Sequence, residues 1–170
     1  YTSKNRTGIK GLTQFLFYPF NMGEGRRIKR AIQYFKPDVV HIHNLHYALG
    51  PWPIRIISSL GLPMVMTLHN FRLLCPSASL FVQGRIFTES LQEAFPWTAV
   101  KLGALDGSKI KTFLTGFTYW LHRKLGTWHK VSSFIVLSAF AKQLFASSTF
   151  PVSPQKFVIR PNSIALQPVK

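Results

Sequence analysis

Polar residues able to do chemistry gather in two short stretches: H-I-H-N at His41 to Asn44, followed by His46, and H-N at His69 and Asn70. Imidazole is the side chain whose proton affinity lies nearest neutral pH, so each of these histidines can take, give or share a proton, or fix a hydroxyl by hydrogen bonding. His41, His43 and His46 read H-x-H-x-x-H, a spacing found in hydrolytic metal sites, and alternate residues of a strand face one way. Leu45 stands where such sites carry an aspartate, and the five Asp and Glu of the chain supply no evident further ligand, so neither a metal nor a cofactor is expected. His41 is expected in the core, whereas His43, Asn44, His69 and Asn70 are expected in a cleft. Further polar points are Ser138, which follows the apolar run F-I-V-L, and R-P-N at Arg160 to Asn162. Cys75 is expected as a small buried hydrophobe, because a reactive thiol needs an activating environment.

The elements that must position these residues follow from periodicity. From Glu24 to Lys36, Ile28, Ala31, Ile32 and Phe35 fall at helical spacing, with Arg26, Arg27, Lys29 and Arg30 on the other face. Pro37 and Asp38 end that helix, and Val39 to His43 is expected as a buried parallel strand. Pro51 or Pro53 can open a helix through Leu60 that Gly61 closes, and Met64 to Leu68 is a second strand. Residues 71–108 form a long irregular connection, except that Leu80 to Phe87 suggests a hairpin turning at Gln83-Gly84. Its aromatic residues argue against disorder. Lys109 to Lys130 is expected as the longest helix, burying the stripe Ile110, Phe113, Leu114, Phe117, Leu121, Leu125 and Trp128 beneath a basic face. Phe134 to Leu137 is a third strand, Ala139 to Ala146 a helix, and Phe157 to Ile159 a fourth strand. Strands alternating with helices give an α/β class and a doubly wound parallel sheet. Since ligands bind beyond the carboxyl ends of such strands, His43, His69, Ser138 and Asn162 are predicted along one sheet edge.

Composition bounds the partners. A chain of 170 residues is long enough for one domain with a sizeable core. The formal charge is +16, from twenty-one Lys and Arg against five Asp and Glu, which favours a polyanion or an anionic surface. Fifteen Phe and four Trp accompany that charge and tilt the expectation toward a membrane interface. Nucleic acid is not expected as a partner, since no recognition motif or aromatic-basic sheet signature is present. A single cysteine excludes an internal disulfide and fits a reducing, cytoplasmic location. No apolar run approaches the ~20 residues needed to span a bilayer, and the first residues carry no signal-peptide core, so any membrane contact is expected to be peripheral, at the inner face.

Taken together, K-P-D-V-V-H-I-H-N, G-L-P-M-V-M-T-L-H-N, L-L-C-P, S-S-F-I-V-L-S-A-F-A-K and V-I-R-P-N resemble, in that order, the amino-terminal domain of family 4 glycosyltransferases of the GT-B fold. The resemblance spans roughly residues 30–165. It implies a retaining, metal-independent transferase with two Rossmann-like halves, moving a sugar from a nucleotide-sugar donor to a glycan or lipid-linked acceptor. The amino-terminal half holds the acceptor and the carboxy-terminal half holds the donor. On that resemblance, residues 1–170 are one partial amino-terminal domain, lacking the family's first strand and its donor domain, and inactive alone. His69 matches the histidine of the T-x-H-[DNT] motif near the reacting sugar and is the expected catalytic residue. His43, Asn44, Asn70 and Ser138 are expected on the acceptor side, with Arg160 and Asn162 at the crossing to the second half. Relatives carrying further cysteines would place them at Thr88, Leu91 and Ala104; only Cys75 is a cysteine here. The alternative on the residues alone is a basic module that binds nucleic acid or membrane without catalysis.

Overall fold

A computed structural model describes residues 18–45 and 49–163. Its centre is a four-stranded, wholly parallel sheet in the order β1-β2-β5-β6, formed by β1 (Val40–His43), β2 (Met64–Leu68), β5 (Ser133–Val136) and β6 (Phe157–Ile159). A two-stranded antiparallel hairpin, β3 (Phe81–Val82) and β4 (Arg85–Ile86), stands apart. It turns at Gln83 and Gly84, both at positive φ as a tight primed turn requires. The chain is thus a Rossmann-like α/β domain.

Helix α1 (Met22–Phe35) starts where Asn21 accepts a hydrogen bond from the Glu24 amide, and stops where Lys36 turns left-handed just before Pro37. It packs on α2 (Trp52–Ser59), and Gly25 permits the contact: a Cβ there would lie 3.1 Å from Trp52 Cδ1 and 3.2 Å from Ile56 Cγ1. The expected apolar stripe is only half realised. Ile28 and Ile32 pack against the core, whereas Ala31 and Phe35 are exposed.

Strand β1 corrects the expectation of a buried strand. Among the described residues it is an end strand of the sheet, pairing only with β2, and just Ile42 of its four residues is buried. By contrast, β2 runs between β1 and β5 and is buried at every position but Val65. Around β5 and β6 an aromatic core closes the fold: Phe134 stacks on Phe157 at 5.3 Å, Phe157 on Phe145 at 5.4 Å, and Trp128 leans on Phe150 at 6.1 Å. Burying each such ring stabilises the fold by about 1.5–3 kcal/mol.

Between β2 and β5 lie α3 (Trp97–Leu102) and α4 (Lys109–Lys124). The latter departs from expectation twice. It ends at Lys124, because Gly126 turns to positive φ, and Trp128 belongs to a separate single turn, Trp128–Lys130. Its buried face is also the opposite of the apolar stripe: Thr112, Thr115, Gly116, Thr118, Tyr119 and His122 point inward, while Ile110, Phe113 and Phe117 are exposed. Local hydrogen bonding makes this possible. Thr112 Oγ1 donates to Ser108 O at 2.6 Å and accepts from the Leu105 amide at 3.0 Å, and Thr118 Oγ1 donates to Leu114 O at 2.9 Å, so these hydroxyls enter the interior already satisfied. Gly116 meanwhile admits Pro96, whose Cγ would lie 2.9 Å from any Cβ at that position. Among the described residues no helix is long and apolar enough to cross a membrane.

Candidate functional site

All four strands of the parallel sheet run the same way, so their carboxyl ends share one edge. His43 closes β1 and His69 follows β2 directly; Ser138 lies two residues beyond β5, and Arg160 to Asn162 follow β6. The register places His43 opposite Thr67, and His43 Nδ1 meets His69 Nε2 at 2.9 Å with the two rings stacked 5.2 Å apart. One step further along both chains, Asn70 Nδ2 donates to Asn44 Oδ1 at 3.5 Å. Asn44 takes a positive φ of 37°, a conformation that Asn tolerates better than most side chains, and so turns the chain out of the strand just after the histidine. Asn70 Oδ1 accepts the Arg72 amide at 3.0 Å, which fixes the turn after β2 in the same way.

Behind this pair stands His41, on the same face of β1, its ring 4.1 Å from that of His43. It was expected in the core, but it is exposed and bonds through Nε2 to Thr67 Oγ1 at 2.8 Å, because β1, paired only with β2, is an end strand among the described residues. His46, the third histidine of the H-x-H-x-x-H spacing, lies outside the described residues. Ser138 caps α5 (Ala139–Ala146), accepting the Ala141 amide at 3.1 Å, which leaves its hydroxyl hydrogen available. Arg160 is tied back to the sheet by its amide, which donates to Val136 O at 2.9 Å, while its side chain and that of Asn162 are exposed. The edge therefore assembles His43 with His69 and Asn44 with Asn70 by direct contact; Ser138, Arg160 and Asn162 share the edge through strand topology.

A cleft opens beside the pair, lined by Asn44, Thr67, His69, Asn70, Arg72 and Tyr119 along with Leu45, Met66, Leu68 and Leu73. Its polar groups are neutral or cationic, with no carboxylate among them. Arg72 and Tyr119 are the members that motif reading missed. Arg72 follows the H-N pair by two residues, and its Nη1 donates to Pro76 O, which ties the loop after β2 to itself. Tyr119 comes from α4, 47 residues after Arg72 in the chain, with its hydroxyl 3.1 Å from that of Tyr18 and its ring stacked on Trp128. Nothing local in the sequence points it to this site.

Two further side chains of α4, His122 and Arg123, tie that helix to its neighbours. His122 is fully buried: its Nε2 donates to Pro19 O at 2.8 Å, which leaves Nδ1 to accept from Thr127 Oγ1 at 2.8 Å. Burial holds its proton affinity below the ordinary imidazole range, and nearby Arg55 adds to the effect, partly offset by the Pro19 bond. Arg123 donates to Leu73 O and to Thr149 Oγ1 and sits over the Phe150 ring; burial draws its guanidinium down to about 10, so it stays charged at neutral pH. It binds the turn after β2 to α4 and to the segment after α5.

No curated protein and no solved structure matches the chain in a comparison with known proteins. The family model described as Glycosyltransferase Family 4 matches residues 5–167. That span takes in the whole parallel sheet, the histidine pair at its edge and the long connection between β2 and β5, and on it the chain belongs to Glycosyltransferase Family 4.

Proposed function

We propose that the cleft at the sheet edge is the acceptor side of a retaining glycosyltransferase, which moves a sugar from a nucleotide-sugar donor to a hydroxyl of a glycan or lipid-linked acceptor. The observation that carries this reading is the His43 to His69 hydrogen bond at the carboxyl edge of the sheet. When both rings are neutral, the bridging bond uses one hydrogen, so of the two outer nitrogens one is a donor and the other an acceptor. Such a pair can both accept a proton from an acceptor hydroxyl and donate to a neighbouring oxygen. His69, held by His43 and by the rigid exit of β2, then orients the attacking hydroxyl, and its contribution is to position. Asn44 and Asn70 offer amide groups for further sugar hydroxyls, Ser138 offers its hydroxyl hydrogen, and Arg72 offers positive charge near the developing anionic leaving group. Arg160 and Asn162 stand where the chain would pass to a donor-binding half. The reading places the enzyme in the cytoplasm, where nucleotide-sugars are the natural donors.

The test uses the full-length enzyme with a panel of nucleotide-sugars and glycan or lipid-linked acceptors, with the anomeric configuration of the product followed by nuclear magnetic resonance. Transfer with retained configuration, reduced about a hundredfold in His69→Ala with no change in unfolding midpoint, is the expected result. Inverted product overturns the retaining assignment, and wild-type turnover in His69→Ala overturns the role of the histidine pair.

A further inference from the structure

Helix α4 turns the wrong side outward for a protein surface in water. At about 100° per residue, Lys109, Phe113, Phe117, Trp120 and Lys124 share one face, opposite the buried threonines. Phe113 and Phe117 are 37% and 36% exposed, Ile110 beside them 65%, and Trp97, delivered by α3, 55%. The rings form one connected group rather than scattered side chains: Phe95 lies 4.5 Å from Trp97 and 5.8 Å from Phe113, Phe113 lies 6.1 Å from Phe117, and Phe117 lies 5.8 Å from Trp120. A contiguous apolar patch of this kind marks a contact surface.

We infer that this aromatic face is a docking surface for an anionic lipid bilayer, seated at the headgroup level. Charge selects this occupant. Lys109 and Lys124 bracket the rings at the two ends of α4 and Lys101 stands on α3, all exposed and, among the described residues, with no carboxylate partner. The two acidic groups nearby are already engaged, Asp106 with Lys111 at 3.3 Å and Glu93 with the Thr98 amide at 3.3 Å. A second copy of the chain would set these lysines against their own counterparts, and two bodies each of formal charge +16 repel. An anionic headgroup layer satisfies both halves of the surface at once: Trp and Phe settle at the interface while lysines reach the lipid phosphates. The docking needs neither donor nor acceptor, so it stands or falls separately from the transfer reaction.

Flotation of the full-length protein with phosphatidylglycerol–phosphatidylcholine vesicles, and with phosphatidylcholine alone, tests it. The protein is expected to float with the anionic vesicles and to be released by salt. Replacing Trp97, Phe113 and Phe117 together by Gln should weaken binding at least about tenfold, and Lys109→Gln or Lys124→Gln about fivefold each. A conservative variant guards against loss of folding: Trp97→Phe should still float, while losing part of the quenching that brominated lipids impose on the tryptophan fluorescence. Absence of flotation, equal binding by the triple variant, or unchanged quenching in Trp97→Phe overturns the inference. So does a triple variant whose only change is a smaller particle mass, which would make the face a self-contact, or binding that transfers from vesicles to oligonucleotides.

Discussion

Two histidine settings in this domain, one inside and one at the sheet edge, are built from the same side chain and put it to opposite uses. His122 has a backbone carbonyl on one nitrogen and a threonine hydroxyl on the other, and it is wholly buried. All its bonding capacity goes to joining α4 to the turn at Pro19 and to Thr127. His43 and His69, by contrast, are both exposed and bond to each other, so each keeps an outer nitrogen for something that is not the protein. Saturation against reserve is the difference. A histidine satisfied from both sides is part of the scaffold, whereas an exposed pair satisfied only by each other retains hydrogen-bonding capacity at the surface.

The sharpest way to break that contrast is to truncate both kinds. His122→Ala leaves Pro19 O and Thr127 Oγ1 without partners and opens a cavity, so it should lower stability by about 2–4 kcal/mol, read as a fall in the denaturant midpoint. A loss below about 1 kcal/mol would mean that His122 is not the scaffold residue described. Next in size, His69→Ala in the full-length enzyme should cost about a hundredfold in turnover and His43→Ala about tenfold, with midpoints held. If the two variants lost stability in step with activity, the edge pair would be scaffold as well. Acid sharpens the comparison further. The folded-state affinity of His122 for a proton lies below its unfolded value, so its stabilising contribution is present above about pH 6.5 and is lost as pH falls through the lower folded value. The thermal midpoint is therefore expected to decline on acidification below about pH 6.5, and His122→Gln should flatten that decline. The smallest effect belongs to Thr67→Val, which removes only the hydroxyl that anchors His41 and should cost about 0.5–1 kcal/mol.

Strand positions were legible because short apolar runs preceded by Pro37 or Pro63 and followed by polar residues carry their own punctuation. The gathering of the strand-end residues along one sheet edge was legible for the same reason, since strand exits in a parallel sheet fall together. Facing was not legible. Counting apolar residues on α4 selects Phe113 and Phe117 for the core, but Thr112 and Thr118 could be buried instead because their hydroxyls bond to backbone carbonyls one turn back, and Gly116 allowed Pro96 close. Likewise His41 was expected inside because its strand is apolar, and whether that strand has neighbours on both sides is a matter of sheet order. Helix α3 passed unnoticed because its six residues give too short a window for a helical period, although Pro96 and the left-handed Gly103 mark its ends. Tyr119 reaches the cleft only through tertiary packing, which no spacing rule reports.

The neighbouring strands β2 and β5 hydrogen-bond along their length, yet residues 69–132 intervene between them in the chain. By contrast, β1 and β2 pair across a short crossover, so β1-α2-β2 can form early from local contacts. Joining β2 to β5 must first close a long loop, whose entropic cost grows with length, and the contact is rewarded only once that segment has folded onto itself. Until that segment has folded, the edge of β2 that β5 covers is open. In a nascent chain that open edge is where a stray strand would add.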